Sequence, residues 1–94
     1  MNLRQVIMDV DKSTQRPSLI EIAEAIEMEN GVEGLSIVAT EIDMETVGME
    51  ITVQRENMDY DALVRAIEHT GAVVHSLDQV ISGKKMVTPT RRIR

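Results

Sequence analysis

The stretch Thr40–Gln54, TEIDMETVGMEITVQ, decides the fold. Its second half alternates without a break. Val47, Met49, Ile51 and Val53 are apolar, while Gly48, Glu50, Thr52 and Gln54 are not. A period of two marks a strand with one face buried and the other wet. The run before it, GLSIVATEID (34–43), is a second strand, rich in β-branched residues. Between them Asp43-Met44-Glu45-Thr46 is short enough for a hairpin turn.

Working outward, the flanks of this hairpin match each other. LRQVIMDV (3–10) is a strand with Val6, Met8 and Val10 on one face, and DKSTQRPS (11–18) is a loop. SLIEIAEAIEMENG (18–31) is a helix. Ser18 and Glu21 form a capping box, Leu19, Ile22, Ala23 and Ile26 form one apolar stripe, and Gly31 supplies the left-handed C′ stop. Beyond the hairpin, DYDALVRAIEHTG (59–71) is a second helix. Asp59 is its N-cap, Tyr60, Leu63, Val64 and Ile67 its stripe, and Gly71 its end. AVVHSLDQVIS (72–82) is the fourth strand.

The order β-α-β-β-α-β predicts an α+β, ferredoxin-like sandwich: a four-stranded antiparallel sheet of order 4-1-3-2 with two helices on one face. An internal echo supports two βαβ halves. GVEGLSI (31–37) and GAVVHSL (71–77) align at an offset of 40. His75 then matches Leu35 and leans toward the helices with Val73 and Leu77. The same alternation leaves Ile7, Val38, Ile42 and Val74 on the outer face. Residues 1–83 form the domain and residues 84–94 a basic tail.

Composition bounds what such a domain can do. With Tyr60 as the one aromatic residue, the core is aliphatic, and seven methionines make it adaptable. At 94 residues that core is thin, and association is a common remedy. There is no cysteine, which excludes disulfides, thiolate metal sites and Cys nucleophiles. No apolar run approaches the roughly 20 residues of a membrane span, and MNLRQVIMDV lacks signal-peptide organisation. The expectation is a cytoplasmic protein without membrane partners.

Charge is divided unevenly. Through Ser82 the chain carries sixteen acids and five bases, a net of −11; the last twelve residues carry five bases and no acid. An acidic body repels nucleic acid. Lys84, Lys85, Arg91, Arg92 and Arg94 are expected to act on the acidic body of a neighbouring subunit.

Several chemistries common to this fold fail on the residues. RNA recognition needs aromatic side chains on the open sheet to stack bases, and the central strands offer none. The first loop has Arg16 but no glycine for a backbone anion cradle. His75 and Ser76 are strand neighbours and point to opposite faces, so they cannot form a nucleophile–base pair. His69 falls near a helix end, where positive charge suits the macrodipole. Asp78 lies roughly opposite Arg4, predicting a cross-strand ion pair.

One constellation remains. The predicted topology gathers Asp9, Asp11, Glu41, Asp43, Glu45 and His75 at the hairpin end of the sheet. Concentrated carboxylates repel unless a cation, base or proton relieves them. Asp9, Glu41, Asp43 and His75 are the candidate metal ligands, with Asp11 and Glu45 outside them. Oxygen donors suit Ca²⁺ or Mg²⁺; His75 fits better as a donor behind the ligands, or as a ligand to Zn²⁺ or Mn²⁺.

IMDV in the first strand, TEIDMET at the hairpin and GAVVHSLDQVISGKKMV at the close resemble the small archaeal family known as domain of unknown function 211. The resemblance extends to about Val87. It implies a ferredoxin-like fold and assembly into oligomers, and attaches no activity. Two function classes are compatible with these residues. One is an oligomeric binding or regulatory module, with itself and a small-molecule or metal ligand as partners and no catalysis of its own. The other is a carboxylate-rich divalent-metal protein, in which the metal is structural or serves an enzyme.

Overall fold

The computed structural model describes residues 1–89. Its elements run β1 (Leu3–Ser13), α1 (Leu19–Glu27), β2 (Gly34–Ile42), β3 (Thr46–Gln54), α2 (Tyr60–His69) and β4 (Val73–Ser82). The strands pair antiparallel in the order β2-β3-β1-β4, which is the expected 4-1-3-2 read from the other edge. No helix among the described residues is long and apolar enough to cross a membrane.

The core lies between the sheet and the helix pair. Val6, Met8 and Val10 of β1 and Met49, Ile51 and Val53 of β3 are fully buried against Ile22 and Ile26 of α1 and Leu63 and Ile67 of α2. Each such aliphatic side chain contributes about 1.5–3 kcal/mol on leaving water. The helices start where the sequence directs. Ser18 Oγ accepts the Glu21 N–H at 3.0 Å, and Glu21 Oε1 accepts the Ser18 N–H at 3.0 Å. Asp59 caps α2 by accepting the Ala62 N–H at 3.1 Å. Gly71, with φ +105°, stands just past the α2 cap residue Thr70.

Gly31 does not play that part for α1. The Glu29 N–H closes on the Ile26 carbonyl at 3.0 Å, which tightens the last turn, and the helix caps at Met28. Gly31, with φ +87°, instead turns the chain toward β2 beneath the Arg55 guanidinium. A Cβ there would lie 2.8 Å from Arg55 Cζ. β1 also runs three residues beyond its predicted end. Lys12 faces Val47 and is buried, with Nζ donating to the Ser13 carbonyl at 2.9 Å. Its methylene stem extends the apolar row, and the ammonium is satisfied at the strand end.

The largest departure lies in β4. Pairing with β1 shifts register between Leu3 and Gln5, between Ile7 and Met8, and between Asp9 and Val10. Each extra residue moves the residues after it to the other face. Val74 therefore pairs with Val10 and packs against the core, whereas Val73 pairs with Asp11 and is 56% exposed. The expected faces of these two valines are reversed. A similar shift between Ala39 and Glu41 sets Ile42 opposite Val47, on the helix side. Of the apolar residues expected on the outer face, Ile7 and Val38 remain there.

Candidate functional site

The hairpin end of the open sheet face is built on Gly48. Asp11 of β1 and Glu41 of β2 are its register partners on either side. A Cβ at Gly48 would lie 3.4 Å from Asp11 Oδ1 and 3.7 Å from Glu41 Oε1. With no side chain at this position, two carboxylates reach over one peptide backbone. Asp9 and Glu50 face each other one row further along. Asp11, Glu41, Asp43, Thr46 and Gly48, with Ile42, line a shallow depression of about 470 Å³.

Asp43 is held at the turn itself. Its Oδ1 accepts the N–H of Glu45 at 3.0 Å, the N–H of Thr46 at 2.9 Å and the Thr46 hydroxyl at 3.1 Å. The hydrogen bonds from Thr46 and Glu45 hold its carboxyl below the usual aspartate range. The Asp43 N–H returns to the Thr46 carbonyl at 3.0 Å, and the Thr14 N–H reaches the Glu45 carbonyl at 3.0 Å. The turn is thereby tied to the end of β1.

The four candidate ligands are not drawn together. Asp9 and Glu41 share the open face, but β3 runs between their strands. Both oxygens of Asp43 are engaged at the turn, Oδ1 by the Glu45 and Thr46 N–H groups and Oδ2 by the Thr46 hydroxyl at 3.2 Å. His75 occupies the β4 register shift and lines the groove toward α2. Among the described residues, no three or more His, Cys, Asp or Glu side chains stand close enough to hold a metal ion. Asp11, assigned an outer place by the sequence, is nearer Glu41 than Asp9 is by register.

The groove beside His75 was not anticipated as a site. About 510 Å³ in volume, it lies between α2 and β4, with Tyr60, Val64, Val74 and Leu77 as apolar lining and Arg65 and Glu68 among its polar groups. Glu68 Oε2 accepts the Val74 N–H at 3.2 Å. Burial raises the Tyr60 phenol, and the charges of Asp61 and Glu68 add to this. The one sequence signal was that the sole aromatic residue belongs to the helix that follows the hairpin. Ser76 donates its hydroxyl to Asp78 at 2.7 Å.

Asp78 does not pair with Arg4. The register shift at Leu3/Gln5 redirects Arg4 toward Glu56, with Nη1 and Oε1 3.5 Å apart. Next to it Gln5 spans the sheet, accepting from Gln54 at 2.5 Å and donating to Gln79 at 2.7 Å. Lys84 and Lys85 follow β4 and are exposed. Arg91, Arg92 and Arg94 lie outside the described residues.

Comparison with known proteins identifies the lineage. Residues 4–94 match the model of a family described as Uncharacterized ArCR, domain of unknown function 211. An uncharacterised protein of Methanocaldococcus jannaschii, MJ0319, is 30% identical over 89 residues, covering 95% of this chain and 91% of that one. The chain belongs to this family, and neither description names an activity.

Proposed function

For this member of the domain of unknown function 211 family, we propose the role of an oligomeric binding module without catalytic activity of its own. The observation that carries the reading is the apolar surface left by a two-layer fold. The molecule is a slab of 41 × 39 × 17 Å, one layer of helices on one sheet. Both outer strands present apolar side chains to solvent: Val38 at 52% on β2, and Leu77 at 42% and Val80 at 49% on β4. Apolar side chains exposed along both edges of the sheet support an interface, which would remove them from water. The groove beside His75 opens along one of these edges and is the candidate place for a small-molecule ligand. The acidic body argues against nucleic acid as a partner. Native mass spectrometry with and without chelator tests the reading by reporting subunit number and bound ligand together.

A second reading draws on the Asp11–Gly48–Glu41 arrangement. Two carboxylates over a backbone with no intervening side chain could share a hard divalent cation such as Ca²⁺ or Mg²⁺, the remaining positions filled by water or a neighbouring chain. A thermal melt with each ion and with chelator separates this from a solvated acidic rim.

A further inference from the structure

The centre of the open sheet face carries an uncompensated row of charge. Asp9 of β1 and Glu50 of β3 are direct register partners, and like charges directly opposite are destabilising. Among the described residues no base pairs with either carboxylate. The same face is closed to water at its other end. Gln5 and Ile81, which pair where the chain leaves β4, are 9% and 4% exposed. At that end Gly83, with φ +116°, turns the chain off the strand, a conformation that glycine adopts without steric cost. Residues 84–94 follow with five bases and no acid.

Reach selects which bases meet the row. Ser76 is the β4 partner of Asp9 and precedes Ser82 by six residues, about 20 Å along the strand. Arg91 follows Gly83 by eight residues, which extended span about 26 Å. The surplus accommodates the reversal at Gly83. Pro89 lacks an N–H, which suits a chain crossing over a face rather than joining the ladder at its edge.

From this match of charge and length we infer that residues 84–94 fold back over the open face of their own chain and set Arg91 and Arg92 against Asp9 and Glu50. Arg91 and Arg92 lie outside the described residues, and the acidic row they would meet lies within them. The sequence pointed the same bases at a neighbouring subunit. A tail this short meets its own face at a high effective concentration, an advantage a separate chain lacks. The contact neutralises the Asp9–Glu50 row and straps the middle of the open face. It does not depend on whether the chain associates.

Two measurements on the full chain test the strap. Arg91→Lys keeps the charge and supplies an amine. Carbodiimide treatment of this variant, as an equal mixture of isotopically light and heavy chains, should join that amine to Asp9 or Glu50 within one chain. The linked peptides should then carry matching labels. In low salt, Arg91→Ala/Arg92→Ala should lower the melting temperature by roughly 4 °C, as two exposed ion pairs would in a domain of this size. The drop should vanish in 1 M salt, where the Debye length is about 3 Å, and in the Asp9→Asn/Glu50→Gln background. Linked peptides of mixed label would place the tail on a neighbour and overturn the inference. So would the absence of links to Asp9 and Glu50 together with an equal melting drop in both backgrounds.

Discussion

Asp43 Oδ1 accepts both the backbone N–H and the hydroxyl of Thr46, at 2.9 and 3.1 Å, with the Glu45 N–H at 3.0 Å beside them. One carboxylate, with Oδ2 also accepting from the Thr46 hydroxyl at 3.2 Å, thus closes the hairpin on which the open face depends. These hydrogen bonds depress the Asp43 pKa in the folded state. The stability they give is fully present above the ordinary aspartate value of about 3.9 and is lost as pH falls through the lowered one. Asp43→Ala should lower the melting temperature at pH 7. The gap from wild type should close as acid protonates Asp43. A gap unchanged down to pH 2 would contradict this assignment.

The capping box gives a second expectation. Ser18→Ala removes the acceptor for the Glu21 N–H and one half of the reciprocal pair. The cost should be about 1 kcal/mol. For a domain of this size that is roughly 4–8 °C in a thermal melt. Ser18→Asp should retain most of the stability.

Asp11 and Glu41 flank Gly48 and repel across it. In chelator, Asp11→Asn should therefore raise the melting temperature, by an amount within the 0–1 kcal/mol typical of exposed charge pairs. Should Ca²⁺ or Mg²⁺ be held between the two carboxylates, adding it will stabilise wild type more than Asp11→Asn and narrow or reverse the gap. Equal response of both proteins would remove the cation reading.

The fold was legible because its decisive signals are local. Ser18-x-x-Glu21, Asp59 and the alternation of Val47, Met49, Ile51 and Val53 each state their geometry within a few residues, and all were found as read. The site was less legible because it depends on register. A bulge changes which face a residue occupies and leaves no mark on a period-two pattern. That is why Val74 rather than Val73 lies inside, why Ile42 turns to the helix side, and why Arg4 meets Glu56 instead of Asp78. Asp43 shows a different limit. The sequence supplied a carboxylate for a ligand set, and the turn uses it as a hydrogen-bond acceptor.

The reversal of the two valines can be measured. Val74 packs against the core and Val73 is solvent-exposed beside Asp11. Val74→Ala should destabilise by about 1–2 kcal/mol in denaturant unfolding, as expected for deletion of packed methyl groups. Val73→Ala should stay within about 0.5 kcal/mol of wild type. The opposite order would restore the unbulged alternation.

The central claim is association through the apolar edges, and the solution mass tests it most directly. Multi-angle light scattering at high micromolar concentration should give a monodisperse mass at an integer multiple of 10.5 kDa, at least twofold. A monodisperse species of 10.5 kDa, unchanged on further concentration, would contradict the account.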